Sequence, residues 1–365
     1  MIYLDANATE PLRPEARVAL CAALEVTGNP ASVHGAGRAA RRLLEDAREL
    51  IAARFGAAPA DVVFTSGGTE ADALAIHALG RGRRLVVGAT EHEAVRSAAA
   101  GAMILPVDRS GVADFDALRR LLEEGGPALV CLMLANNETG TLQPVAEAAA
   151  ICRAHGALLH VDAIQAAGRV PVSLRDLGAH AMAISSHKLG GPAGAGALLL
   201  APEVSAIAPL IAGGGQERGR RGGTPAVATI AGFAAAAAAG AETPAPLAAL
   251  RDRAERAALA LGAIVCGGGA RLPNTTCLAL PDVRADAQVI ALDLAGIAVS
   301  AGAACSSGKV ATSHVLTAMG LGALAGQAIR VSLPWNVTEA DVDAFTHAYA
   351  RMADRLRPAL ARSAA

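Results

Sequence analysis

Five short polar segments of this sequence each follow an apolar run, and together they contain side chains suited to acid–base and anion-binding chemistry. The segments are "TSGGTEAD" (65–72), "ATEHEAV" (89–95), "ANNETG" (135–140), "VDAIQ" (161–165) and "SSHKLGG" (185–191). In an open parallel sheet, ligands bind outside the carboxyl ends of the strands. The sequence therefore predicts a small-molecule site where these five segments meet.

Asp162 and Lys188 point to one kind of cofactor. Asp162 ends a strand that looks buried, where a carboxylate is costly unless it meets a cation or several hydrogen-bond donors. A known cationic partner of such an acid is the protonated ring nitrogen of pyridoxal phosphate, which enzymes hold through a Schiff base to lysine. Lys188 follows the next apolar run. The alternative is a helix cap or ion pair for Asp162 and a solvated loop for Lys188.

The segment around Thr69 is suited to binding a phosphate group. Gly67 and Gly68 let the backbone approach a ligand, and Thr69 opens a helix whose free N–H groups and dipole favour an anion. Ser185 and His187 are further donors in a neighbouring segment. Capping of the helix by Thr69 alone is the alternative, but the additional donors favour phosphate.

His92 and Cys305 are candidates for proton transfer and nucleophilic attack. An isolated histidine is more often a surface or core residue than a catalyst, unless it faces an aromatic cofactor. Cys305 lies among small residues in "SAGAACSSGKV", a composition typical of an exposed loop. At an unperturbed pKa near 8.5, about 3% of such a thiol is ionised at pH 7. An incidental loop cysteine is the alternative.

The composition limits the classes of partner. The chain has 365 residues, 53% of them hydrophobic, and its 32 basic and 33 acidic side chains leave a formal charge of −1. This balance does not favour nucleic acid or an anionic membrane surface. No secretory signal or transmembrane stretch is expected. The six cysteines include no C-x-x-C pair and the histidines no metal-ligand spacing, so we expect no metal and a cytoplasmic, reducing location.

The order of apolar and amphipathic stretches predicts an α/β fold. Apolar runs recur between residues 62 and 200, and those between 62 and 162 are mostly separated by helical stretches such as 69–79, 114–124 and 144–155. This order is typical of a mainly parallel, helix-flanked sheet. Before them, residues 36–55 form a predicted helix with Leu43, Ala47, Leu50, Ile51 and Phe55 on one face. After "AETPAPL", near residue 240, a smaller α+β unit is expected, with strands near 274–280, 297–300 and 328–333.

With these residues assembled, the chain resembles the cysteine desulfurases, pyridoxal-phosphate enzymes of the class V aminotransferase group. The resemblance runs almost end to end through a series of motifs: "YLDANAT", "GNPASVHGAGR", "VVFTSGGTEAD", "TEHEAV", "NNETG", "HVDAIQAAG", "SSHKLGGP", "GGGQERGRRGGT", "SAGAACSSGKV" and "IRVSLP". The cysteine segment is similar to the branch with a longer, flexible loop. The resemblance implies an aspartate aminotransferase-like, fold type I architecture, with a large domain at 14–240 and a small domain made of 1–13 and 241–365.

The resemblance also implies a role for each site residue. Lys188 would form the Schiff base with pyridoxal 5'-phosphate, and His92 would stack on its ring and assist proton transfer. The other cofactor contacts would come from Gly68, Thr69, Asn137, Asp162, Gln165, Ser185 and His187, with Thr224 reaching the phosphate of the neighbouring subunit in a homodimer. The substrate contacts would come from Asn7, His34, Asn137 and Arg330.

The implied reaction converts L-cysteine to L-alanine and leaves a persulfide on Cys305, which passes to a protein sulfur acceptor such as an iron–sulfur scaffold. Selenocysteine lyase or class V transaminase activity is an alternative. A catalytically silent sulfur-carrier or binding protein is a further one, and it would bind no cofactor.

Overall fold

The computed structural model describes residues 1–240, 244–302 and 312–363. Its helices are Pro14–Leu24 (α1), Gly35–Phe55 (α2), Gly68–Leu79 (α3), Glu93–Ala98 (α4), Phe115–Glu123 (α5), Val145–Ala154 (α6), Leu174–Leu177 (α7), Val227–Ala239 (α8), Pro244–Ala260 (α9), Ala285–Leu294 (α10), His314–Ala318 (α11) and Glu339–Ser363 (α12). Within these ranges, no helix has both the length and the apolar character needed to cross a bilayer.

The strands are Ile2–Tyr3 (β1), Val62–Thr65 (β2), Arg84–Gly88 (β3), Met103–Leu105 (β4), Ala128–Cys131 (β5), Leu158–Asp162 (β6), Ala181–Ser185 (β7), Gly196–Leu200 (β8), Ile264–Val265 (β9), Thr275–Ala279 (β10), Ile297–Ala298 (β11), Ser300–Ala301 (β12) and Ala328–Ser332 (β13). Each apolar run that the sequence offered as a strand between 62 and 200 contains one. The α/β prediction is confirmed.

The larger sheet has the strand order β2-β8-β7-β6-β5-β3-β4 among the described residues. Its strands run parallel except β8, which is antiparallel to both of its neighbours. Strand β8 follows β7 after only residues 186–195, and this connection is too short for the crossover that a parallel strand requires. The sheet is therefore mainly parallel, and β2, β3, β5, β6 and β7 end at the same edge.

Helix α2 packs on this sheet through a face slightly different from the predicted one. Its buried apolar residues include Leu44, Ala47, Ile51 and Phe55, whereas Leu50 is 48% exposed. The helix ends at Gly56, whose backbone is left-handed with φ 69°, a conformation that glycine adopts without steric cost. The predicted helix and its end are confirmed. The leucine buried on its inner face is Leu44, whereas Leu43 and Leu50 were predicted there.

The C-terminal part forms a second sheet with a core of its own. In the described ranges its strand order is β12-β13-β10-β9, and β1 pairs with β11 beside it. Helices α9, α10 and α12 contact this sheet or one another, with Phe345 and Tyr349 of α12 fully buried. The boundary near residue 240 stays a prediction, because residues 241–243 lie outside the described chain.

Candidate active site

A cavity of about 290 Å³ lies at the edge where the parallel strands end. It is lined by the predicted site residues Asn7, Gly68, Thr69, His92, Asn137, Asp162, Gln165, Ser185, His187, Lys188 and Arg330, together with Ala8, Ala94, Met133 and Ile164. The first eleven residues come from segments far apart in the chain. The fold therefore brings together the five polar segments and two further segments near the ends of the sequence.

Lys188 is positioned by a short 3-10 turn, Ser186–Lys188, that follows β7 directly. Its side chain is half-buried, and Nζ donates hydrogen bonds to the backbone oxygens of Asn7 at 2.6 Å and Ala8 at 2.9 Å. These two acceptors come from the N-terminal segment. They hold the amine at the cavity wall.

Asp162 lies at the end of β6 and is only 6% exposed. Its Oδ1 accepts a hydrogen bond from the Ile164 N–H at 2.9 Å. Burial, reinforced by the nearby Asp72 carboxyl, raises the pKa of Asp162 to about 8. A cationic group entering the cavity beside Asp162 would oppose that shift and favour the carboxylate.

The N-terminus of α3 forms another wall of the cavity, beside Ser185 and His187. The first N–H groups of a helix have no acceptor inside the helix and attract anions. The buried Ser185 Oγ has no hydrogen-bond partner among the described residues. A Cβ on Gly68 would lie 2.2 Å from Ile164 Cδ1 and 3.3 Å from Ser185 Cβ. A side chain at position 68 would therefore require Ile164 to move.

The two histidines of the cavity are both held neutral. Burial, together with the charges of Lys188 and Arg169, lowers the pKa of His187 to about 4, and its Nδ1 lies 3.2 Å from Thr9 Oγ1. Burial also lowers the pKa of His92, with the Lys188 charge as the next cause. His92 caps α4 by accepting the Ala94 N–H at Nδ1, so the proton of its neutral ring is on Nε2.

Arg330 and Asn7 also line the cavity. Arg330 is 3% exposed, and its Nη2 pairs with Asp5 Oδ1 at 2.7 Å while Nη1 donates to the Asn137 backbone oxygen at 3.1 Å. The same oxygen accepts from Asn7 Nδ2 at 3.0 Å. These contacts fix a guanidinium at the cavity, where it can bind a carboxylate in a bidentate manner.

The N-terminal segment 5–10 connects the two sheets around this cavity. Asp5 bridges to Ser332 of β13, and the Asn7 carbonyl also accepts from Gln165 Nε2 at 3.1 Å. Glu10 then pairs with Arg169 at 3.2 Å and accepts the Trp335 N–H at 2.7 Å. The site is thus built from both sheets and from the strap that joins them.

Three predicted residues are not among those that line the cavity. His34 is exposed and caps α2, its Nδ1 accepting the Gly37 N–H at 3.3 Å. Thr224 is exposed in a separate cleft that Ser66 and Arg221 also line. Cys305 lies outside the described residues. Across the described ranges, no group of three or more His, Cys, Asp or Glu side chains is arranged to hold a metal ion.

Sequence reasoning missed two buried acids behind the cavity. Asp72 and Glu91 are both fully buried. Asp72 pairs with His160, and Glu91 Oε1 accepts the Met133 N–H at 2.5 Å. A signal was present, because Asp72 lies one helical turn after Thr69 and His160 lies two residues before Asp162 in a strand. Both positions face the same side as the predicted cofactor contacts.

The fold and the site define an α/β chain whose ligand cavity lies at the carboxyl edge of a mainly parallel sheet and is lined by a lysine, an acid and a helix N-terminus. The chain belongs to the aminotransferase class-V family, whose model matches residues 2–345.

Individual relatives match over nearly their whole length. A protein named cysteine desulfurase from Cereibacter sphaeroides is 44% identical, with 98% of this chain and 96% of the relative covered. An IscS-like cysteine desulfurase from Mycobacterium tuberculosis is 42% identical over 94% of both chains. The X-ray structure of a NifS-like protein from Rickettsia africae is 34% identical, with a TM-score of 0.90 over 97% of this chain and 99% of the other.

Proposed function

We propose that this protein is a cysteine desulfurase, which converts L-cysteine to L-alanine and collects the sulfur as a persulfide on Cys305. The observation that carries the proposal is the convergence of Lys188, Asp162 and the α3 N-terminus on one cavity. The relatives named cysteine desulfurase, similar over nearly the full chain, support the same activity.

Pyridoxal 5'-phosphate is the proposed cofactor, and the residues present fit it. The unpartnered Ser185 Oγ, the Thr69 helix turn and neutral His187 suit its phosphate. Asp162 suits the protonated ring nitrogen, since its buried carboxyl lines the cavity at the end of β6. When bound, this cofactor supplies an electron sink that acidifies the α-proton of an amino acid.

The chain's own residues then divide the work of the reaction. Arg330 and Asn137 orient the substrate carboxylate, and Asp162 keeps a proton at the ring nitrogen. Lys188 removes the α-proton of L-cysteine, and neutral His92 is placed to move a proton at Nε2. The two N-terminal carbonyls on Lys188 Nζ keep that amine close to the cavity.

Sulfur transfer requires a thiolate at Cys305, a role that rests on the resemblance. The thiolate attacks the sulfur of L-cysteine, and the carbon–sulfur bond breaks as the new sulfur–sulfur bond forms. The electron pair of the broken bond stays with the substrate carbon, which takes a proton and becomes the methyl group of alanine. The persulfide on Cys305 is then available to an acceptor.

The proposal also includes a homodimer, a protein acceptor for sulfur such as an iron–sulfur scaffold, and a cytoplasmic location. The described cysteines are all free thiols, which suits a reducing compartment.

Selenocysteine lyase activity is the second candidate, because the same residues would serve either chalcogen. A ratio of turnover rates on L-cysteine and L-selenocysteine distinguishes the two.

The test uses purified holoenzyme and two variants. The wild type is expected to show near-visible cofactor absorbance, and L-cysteine with a reductant is expected to yield sulfide and alanine. Lys188→Ala should lose that absorbance. Cys305→Ser should lose sulfide release while its absorbance still responds to L-cysteine, with Cys21→Ser as the matched control that keeps both. Sulfide release that survives Cys305→Ser would overturn the persulfide role.

A further inference from the structure

A buried aspartate–histidine pair lies behind the cavity and has no role in the reaction described above. Asp72 of α3 and His160 of β6 are both 0% exposed, and Asp72 Oδ1 lies 3.0 Å from His160 Nε2. Neither Asp72 Oδ2 nor His160 Nδ1 has a hydrogen-bond partner in the part of the chain that the structure describes. A buried polar pair with unsatisfied atoms is costly, so its presence calls for a role.

The pair connects the two elements that supply opposite ends of the proposed cofactor site. Asp72 follows Thr69 by three positions in α3, and His160 precedes Asp162 by two positions in β6. Side chains at i and i+3 share a helix face, and side chains at i and i+2 share a strand face. The contact between Asp72 and His160 therefore fixes the distance between the Thr69 turn and the Asp162 carboxyl.

The charges around the pair show that it acts mainly through geometry. Burial lowers the pKa of His160 to about 4 and raises the pKa of Asp72 well above its usual range. Both shifts favour the uncharged forms of the two side chains. The other titratable groups that act on this pair or are acted on by it are Glu91, Cys131 and Asp162, and Lys188 in turn acts on Asp162.

We propose that Asp72 and His160 are positioning residues, which lock α3 to β6 so that the phosphate-binding turn and the Asp162 carboxylate stand at the spacing the cofactor requires. This inference rests on the proposed function. Without the lock, α3 can shift along the sheet, and Asp162 no longer faces the ring nitrogen when the phosphate is bound. Both cofactor affinity and the charge state of the ring depend on that alignment.

The experiment compares Asp72→Ala, which removes the lock, with Asp72→Asn, which keeps an acceptor for His160 Nε2. Asp72→Ala is expected to weaken binding of pyridoxal phosphate to the apoprotein about tenfold, the cost of a lost buried hydrogen bond. The pH midpoint of the bound cofactor's absorbance should rise by about one unit, because the Lys188 nitrogen then faces no second positive charge on the ring. Asp72→Asn should stay close to wild type in both measurements.

The matched control is Leu159→Ala, on the opposite face of β6 and also fully buried. It should lower the melting temperature without moving the absorbance midpoint. If Asp72→Ala does not fold, Asp72→Ser replaces it, because a serine hydroxyl is too short to reach His160.

Two outcomes would overturn the positioning role: a midpoint in Asp72→Ala that moves no more than in Leu159→Ala, or an Asp72→Asn variant as impaired as Asp72→Ala. Failure of the proposed function is distinguishable, because the wild type would then release no sulfide and alanine from L-cysteine, whatever the midpoints of the variants.

Discussion

Asp162 shows how one residue's environment can prepare it for a ligand. Its carboxyl is buried at the end of a strand, and burial rather than any single neighbour is the main cause of its raised pKa. The carboxylate is therefore unfavourable in the empty cavity and favourable beside a ring cation. The stability of the apoprotein should therefore depend on pH.

We predict that the apoprotein loses stability as the pH rises from about 4, the usual pKa of aspartic acid, to about 8, the pKa of Asp162 in the folded chain. In this window the folded state binds more protons at Asp162 than the unfolded state, so deprotonation favours unfolding. Melting temperatures of the apoprotein between pH 5 and pH 8 measure the effect.

The comparison variant for this prediction is Asp162→Asn. Over the same pH range, its melting temperature should fall by about 3 °C less than that of the wild type. Asp72 and Glu91 have pKa values raised in the same direction, so a residual slope remains in the variant. Identical slopes in the two proteins would contradict the raised pKa of Asp162.

At the scale of elements, helix α3 depends on a close approach to the sheet. Its first residue, Gly68, faces Ile164 and Ser185 at distances that a Cβ could occupy only if Ile164 moved. Alanine is otherwise an excellent helix residue, so the cost of a substitution here comes from contact with Ile164 and not from backbone propensity.

Gly68→Ala is expected to weaken cofactor binding about tenfold, because the new methyl group must displace α3 or Ile164. The double variant Gly68→Ala/Ile164→Val, which removes the nearest atom Ile164 Cδ1, should recover part of the affinity. Equilibrium titration of the apoprotein with pyridoxal phosphate measures both. If the double variant recovers no affinity, the contact between position 68 and Ile164 is not the cause of the loss.

The sequence was sufficient to predict most elements of the larger sheet, because apolar runs and helical periodicity report local burial. It was insufficient for features that depend on remote partners. The reversal of β8 and the pairing of Asp72 with His160 leave only weak local signals. Helix α9 was missed because the prolines of "AETPAPL" resemble a linker, although proline is well tolerated in the first turn of a helix.

The candidate site was predictable to a similar degree. Nine of the eleven predicted residues that line the cavity belong to the polar segments that follow strands at one edge of the larger sheet. Asn7 and Arg330 came from the family resemblance, since neither lies in the five polar segments. Their contacts with Asn137 join parts of the chain that no local pattern connects.

At the scale of the whole molecule, Thr224 tests the proposed homodimer. It lies in a cleft apart from the cavity of its own chain, so a contact with cofactor phosphate would have to be made across an interface. Thr224→Val should lower cofactor affinity without changing the fold.

Mixed dimers of a Thr224→Val chain and a Lys188→Ala chain give the sharper result. The intact Lys188 then lies in the Thr224→Val chain, and its site receives an unchanged Thr224 from the partner. The Lys188-dependent absorbance of the mixture should show wild-type affinity for the cofactor. Affinity that stays at the Thr224→Val value would contradict a contact made in trans.

The strap formed by residues 5–10 has a consequence for how the protein is made. These residues are synthesised before their partners, which include Lys188, Arg330 and Trp335. Contacts between such distant positions are slow to form. The strap therefore cannot complete its contacts around the cavity until residue 335 has been synthesised, and a fully formed cofactor site exists only after that point.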